Sequence, residues 1–145
     1  MLTPSLQDYL EEIYRLSIKS DEIRVSDIAE VLEVSLPSVV KALHKLNSRG
    51  YILYQPYEPV KLTEKGIREG KFLVQRNQLL KDFLRVLKTN SDIEKEAESM
   101  EHYLSLSTIQ AIEKFYHFMK DNPDIQDRYD VYLQKTNENY IFEND

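Results

Sequence analysis

A mainly α-helical chain is predicted by three observations. Apolar residues recur at three- and four-residue spacing over most of the 145 residues, Ser or Thr stands ahead of several of those runs, and one short stretch alternates with a period of two. At 41% hydrophobic residues the chain can fold as one compact domain or as two small ones sharing a core. It has no apolar run long enough to cross a bilayer, and its start, MLTPSLQDYLEE, lacks the basic and apolar regions of a signal peptide. A cytoplasmic protein with no membrane partner is therefore expected. With no cysteine, any metal would be held by oxygen and imidazole donors.

The first helix is expected from Thr3 as N-cap and Pro4 in the first turn to about Ser17, with Leu6, Tyr9, Leu10, Ile13 and Leu16 on its apolar face. Ser26 can cap a short second helix that buries Ile28, Ala29 and Leu32 and ends at EVS. Ser35 can cap a third, in which Val39, Leu43 and Leu46 face the core while Ser38, Lys41 and Lys45 share the outward face. Arg49-Gly50 ends it. Beyond Gly50, Ile52 and Tyr54, then Val60 and Leu62, alternate on either side of QPYEP, which predicts a hairpin. Thr63 can cap a long helix to about Lys88; Gly66 and Gly70 within it suggest close packing. Helices near 92–104 and 106–120 follow, then a turn at DNPD and a weaker segment from Ile125 with an aromatic, acidic tail.

Charge is distributed unevenly. The formal net charge is -6, yet residues 36–76 carry 8 basic and 3 acidic side chains, an island between acidic flanks. Two short helices, a tight turn and a two-stranded ribbon on this island give the order of a winged helix-turn-helix. In that arrangement the third helix enters the major groove of double-stranded DNA. It offers Ser35, Ser38, Lys41, His44 and Lys45 to base edges and phosphates, while Arg49, Lys61, Lys65 and Arg68 meet phosphates. At the ribbon tip Tyr57 can touch the backbone, although Glu58 beside it opposes a phosphate. Taken alone, a Lys-rich helix face is also what a solvated surface looks like.

A second cluster is acidic. In AESMEHYL, Glu98, Glu101 and His102 project from one helical face, and Glu94 one turn earlier adds to their repulsion. Asp8 and Glu11 form another acidic pair on the first helix. Two carboxylates from one helix, with two carboxylates and an imidazole from another, can compose an octahedral site suited to Mn or Fe(II); a plain solvated face is the alternative. His117, within KFYHFM, is expected to be a packing or interface residue with no acidic partner at helical spacing.

The segments TPSLQDYLEEIY, RVSDIAEVLEVSLPSVVKALHKL, LTEKG and ESMEHYLS, in this order and spacing, resemble the diphtheria toxin repressor family from Met1 to about Lys120. The resemblance implies the short form of its manganese-responsive branch, without an additional SH3-like C-terminal domain. It implies a winged-helix DNA-binding domain over 1–71 and a helical dimerisation and metal-binding domain over 72–145. A homodimeric repressor of manganese-uptake genes on a palindromic operator is then expected, with one or two Mn(II) per subunit as corepressor and Fe(II) or another divalent ion as alternative. The ligands carried over are Asp8, Glu11, Glu98, Glu101 and His102. One position departs: where the family has a ligand histidine in the long helix, this chain reads QRNQLL, with Asn77. An Asn carbonyl can ligate a hard cation but is neutral and lacks the imidazole nitrogen. A metal-independent paralogue therefore stays open, whereas a two-metal hydrolase lacks a nucleophile motif or phosphate loop. Dimerisation is expected through Leu79, Leu80, Phe83, Leu84, Leu87, Ile109, Ile112, Phe115 and Phe118, for which core packing is the other reading.

Overall fold

A computed structural model describes residues 2–136; the tail beyond Thr136 lies outside the described residues. Its elements are α1 (Pro4–Lys19), α2 (Val25–Leu32), α3 (Leu36–Ser48), β1 (Ile52–Leu53), β2 (Lys61–Leu62), α4 (Glu64–Leu87), α5 (Ile93–Glu101), α6 (Leu106–Asp121) and α7 (Pro123–Lys135). The chain divides into two compact units, Met1–Gln78 and Leu79–Asp145, with the boundary inside α4. Among the described residues no helix is long and apolar enough to cross a membrane.

The first unit closes α1, α2, α3 and the ribbon around one core. Leu10 and Ile13 of α1, Ile28 of α2, Val39, Leu43 and Leu46 of α3 and Ile52 of β1 are all fully buried, as the helical and strand periods require. Thr3 caps α1 by accepting the Leu6 N–H at 3.3 Å, and Ser35 caps α3 by accepting the Ser38 N–H at 3.3 Å. Gly50, at φ 80°, makes the left-handed turn that stops α3.

Three local expectations are corrected here. Helix α2 begins one residue before Ser26, because the Asp27 carboxylate reaches back to accept the Arg24 N–H at 2.9 Å and replaces a hydroxyl cap. The entry is also pinned at Ile23, whose carbonyl accepts the Val60 N–H at 2.8 Å. Helix α1 runs on to Lys19, two residues further than expected. The ribbon pairs only Ile52 with Leu62 and Leu53 with Lys61; Tyr54 and Val60 are buried beside it, outside the ladder.

Helix α4 starts at a tight junction. The Thr63 hydroxyl donates to the Gly50 carbonyl at 2.6 Å and accepts the Gly66 N–H at 3.1 Å, so one side chain ties the end of α3 to the start of α4. A Cβ on Gly66 would collide with the Tyr51 carbonyl oxygen, and one on Gly70 would stand 2.6 Å from Tyr14 Cβ. The two glycines are thus a packing requirement.

In the second unit Leu80 and Leu84 of α4, Ala97 of α5 and Ile109 of α6 form a small core, with Leu79, Ile93, Met100, Leu104 and Ile112 packed against it. Phe83 and Phe115 meet edge to face at 6.0 Å. Helix α5 stops at Glu101, earlier than expected, because the Tyr103 and Leu104 N–H groups both turn back to the Met100 carbonyl and Ser105 caps α6. Helix α7 begins at Pro123, so the Pro-Asp of DNPD belongs to its first turn. From α7, the Tyr129 hydroxyl donates to the Leu87 carbonyl at 2.9 Å and Gln126 Nε2 to the Val86 carbonyl at 3.4 Å, supplying donors for carbonyls that the end of α4 leaves without helical partners. Of the residues expected to dimerise, Leu80, Leu84 and Ile109 are core; Leu87, Phe115 and Phe118 stay exposed in this subunit.

Gly66→Ala and Gly70→Ala are each expected to destabilise the first unit by about 1–3 kcal/mol, since neither site has room for a methyl group. Urea unfolding followed by circular dichroism checks this, with Gly50→Asn as a milder control in open space.

Candidate nucleic-acid interface and metal centre

All ten residues expected to meet DNA are exposed in the first unit: Ser35, Ser38, Lys41, His44, Lys45, Arg49, Tyr57, Lys61, Lys65 and Arg68. Five lie along α3 or at its N-cap because the core stripe Val39, Leu43 and Leu46 turns the opposite face outward. Helix α3 contains no acidic side chain. The Ser35 and Ser38 hydroxyls are 2.8 Å apart and bond to each other. His44 sets its ring edge-on to Tyr54 at 5.3 Å, which anchors the α3 face to the ribbon. Tyr57 stands fully exposed at the ribbon tip in the left-handed region, at φ 67°. Lys65 is less available than expected: its ammonium donates to the Arg49 carbonyl at 2.8 Å and lies 4.2 Å from the Tyr51 ring centroid.

The outward face of α3 also carries apolar residues that the charge pattern conceals. Leu36 is 52% exposed, and with Pro37, Val40, Lys41, His44 and Lys45 it lines an open recess. The available signal was Leu36 and Val40 at i and i+4, off the core stripe.

The candidate metal ligands belong to two groups, one in each unit. In the first, Asp8 and Glu11 are half-buried at i and i+3 on α1, and Asn77 is buried in α4. Arg15 lies 3.7 Å from Glu11 and 3.6 Å from Glu12. Burial pushes the Glu12 carboxyl above its ordinary range; Arg15 and Lys19 oppose this, and Asp8 adds to it. Beside Asn77, the buried Arg76 donates to Gln7 Oε1 at 3.2 Å and faces the Phe72 ring.

In the second unit Glu101 is 2% exposed, and its Oε1 is 3.6 Å from His102 Nε2. His102 terminates α5 and is half-buried, while Glu98 is exposed. Glu94 does not add to the repulsion, because Lys81 Nζ pairs with it at 3.0 Å. The donors are carboxylates, one amide and one imidazole, with no thiolate. Within each unit these donor types suit a cation such as Mn(II) or Fe(II). His117 corrects another expectation: Glu113, one turn earlier, lies 3.9 Å away, and the pair is solvent-exposed.

The N-terminal DNA-binding domain of the iron-dependent repressors matches residues 1–60, and their metal-binding and dimerisation domain matches residues 63–130. The transcriptional regulator MntR of Lysinibacillus sphaericus is 44% identical over 86% of this chain and 91% of its own length. The chain belongs to the diphtheria toxin repressor family. It is a DNA-binding transcriptional regulator with a dimerisation domain, not an enzyme. Another family relative, MntR of Bacillus subtilis, is 40% identical over 84% of this chain and 87% of its own length. Among solved structures of the family, the manganese regulator SloR aligns with TM-score 0.68 at 33% identity, covering 81% of this chain and 55% of that one. A manganese-dependent transcriptional repressor in complex with manganese aligns with TM-score 0.70 at 28% identity, covering 78% and 53%. The chain thus spans about half the length of these solved structures.

Lys41→Ala and Lys45→Ala are each expected to weaken duplex binding and to lower the slope of log affinity against log salt by about one. Fluorescence anisotropy across a salt series measures both. Unchanged affinity and slope in the two variants would show that α3 does not lie in the groove.

Proposed function

We propose that the chain is a cytoplasmic, manganese-responsive repressor of metal-uptake genes that binds a palindromic operator as a homodimer. The observation that carries this reading is the buried Glu101 carboxylate beside the His102 imidazole, in a chain whose other unit exposes a basic reading helix. Residues 1–71 read DNA through Ser35, Ser38, Lys41, His44, Lys45, Arg49, Tyr57 and Lys61. Residues 72–145 dimerise and contribute metal ligands.

Asp8, Glu11, Glu98, Glu101 and His102 are the ligands of one or two Mn(II) per subunit. Bound Mn(II) supplies positive charge that cancels the repulsion among these carboxylates. Asp8 and Glu11 stiffen α1 once their charge is neutralised, and the two α3 helices of a dimer are then held at the spacing of successive major grooves. Without that ordering, its cost is drawn from DNA-binding energy and affinity falls.

Asn77 supports a second reading of the switch. A buried amide offers a neutral oxygen at a position where the family's histidine offers a nitrogen, which weakens one ion position and lowers its preference for Fe(II), Zn or Ni. The single-ion regulator and the metal-independent paralogue both follow from that one substitution.

Calorimetry with Mn(II) tests the metal reading. Micromolar to sub-millimolar binding is expected, weakened at least about tenfold by Asp8→Ala or Glu101→Ala, with Asn77→His raising the stoichiometry or the affinity. Absence of binding at millimolar Mn(II), with both alanine variants indistinguishable from the parent, would overturn it. Anisotropy on a manganese-uptake promoter fragment, with EDTA and across a Mn(II) titration, separates the switch from the fold: equal binding in both conditions would leave a DNA-binding protein without metal control.

A further inference from the structure

We infer that Leu36 and Val40 are specificity-determining residues that read thymine 5-methyl groups in the major groove. This rests on the assignment of α3 as the reading helix. The N-terminal turn of α3 is the part that a reading helix brings to base edges. In this chain part of the polar capacity of that turn is spent within the turn itself. The Ser35 and Ser38 hydroxyls bond to each other at 2.8 Å, the Ser35 hydroxyl also accepts the Ser38 N–H, and Pro37 has no N–H.

What the turn presents instead is apolar. Leu36 is 52% exposed, and Val40 follows one helical turn later on the same side. Val40 also packs its inner side against the core, so its position is fixed, whereas Leu36 is held at the capped start of the helix by Ser35. Lys41 and Lys45 border the recess, α3 has no acidic side chain, and residues 36–76 carry an excess of basic groups. An apolar pair set between cations fits a polyanion with apolar points on its surface. The thymine methyl is the apolar feature of the major groove, and a side chain in contact with it separates T·A from C·G without a hydrogen bond.

Selection of the full-length protein against a random-sequence duplex library, with Mn(II) at fixed salt, supplies the probe. The enriched duplex is then resynthesised with deoxyuridine in place of thymidine, which removes the methyl groups and leaves the base-pairing edges intact. The parent is expected to bind the deoxyuridine duplex roughly three- to tenfold more weakly. Leu36→Ala is expected to bind the thymidine duplex more weakly and to lose most of that difference, with the salt slope and thermal midpoint unchanged. Val40→Ala, which also touches the core, serves as the second variant, and its melting curve reports folding.

Equal binding of the two duplexes by the parent, or a full difference retained in Leu36→Ala, would overturn the inference and leave the proposed function standing. A library from which nothing is enriched over random DNA would overturn both. If Leu36→Ala changed the oligomeric state instead, the patch would belong to a second copy of the chain, which also overturns the inference.

Discussion

The junction at the start of α4 is the constraint on which the rest of the molecule depends. Thr63 bonds the end of α3 to the first turn of α4, and within two turns the helix passes too close to Tyr51 and Tyr14 for any side chain larger than hydrogen. Each glycine costs a helix about 1 kcal/mol relative to alanine, a cost offset here by the close contact it permits. Everything downstream is registered from that point. Asn77 reaches a buried position and Leu80 and Leu84 reach the second core because they are fixed numbers of residues along the same unbroken helix. A slip of one residue would turn each of them by about 100°.

Much of this was legible in the sequence, for identifiable reasons. The helices of the first unit combine a strong 3.6-residue period with local caps, so Leu10, Ile13, Val39, Leu43 and Leu46 could be assigned to a core from spacing alone. Where the reading slipped, a contact distant in sequence had overruled a local signal. Ser26 looks like a cap, yet α2 starts earlier because Ile23 is held by Val60, 37 residues away, and Asp27 does the capping. The ladder is short because Val60 bridges to Ile23 and the Tyr54 N–H donates to Asn47 Oδ1, so neither extends the pairing of the two strands. The apolar list for the second unit mixed core with surface: helical spacing places Leu84 and Leu87 on neighbouring faces and cannot say which one a partner helix covers.

The functional groups divide in the same way. Exposure of Lys41, Lys45 and His44 follows from the core stripe on the opposite face, so the sequence revealed it. The engagement of Lys65 with Arg49 and Tyr51, and of Glu94 with Lys81, depends on side chains meeting across the fold and had no local trace. Leu36 leaves no trace in the charge pattern, although an exposed apolar residue beside cations is informative in a DNA-binding chain.

Local rules are broken where the chemistry is expected. Several other helix ends satisfy them: Thr3, Ser35, Asp92 and Ser105 cap helices, and Gly50 ends one at a positive φ. Against that background, the nine-residue α5, whose first turn is already acidic, ends with Glu98 and Glu101 and has His102 as its C-cap. A helix has no structural use for such a cluster at its C-terminal end, where the dipole disfavours negative charge. Burial of Glu101 takes its carboxylate out of water, so the state of its charge depends on the groups that surround it. Within α4, Asn77 and Arg76 are adjacent polar side chains that are both buried. Clustered like charge at the end of α5, in a chain matched there by a metal-binding and dimerisation domain, is the arrangement on which a cation would act most strongly.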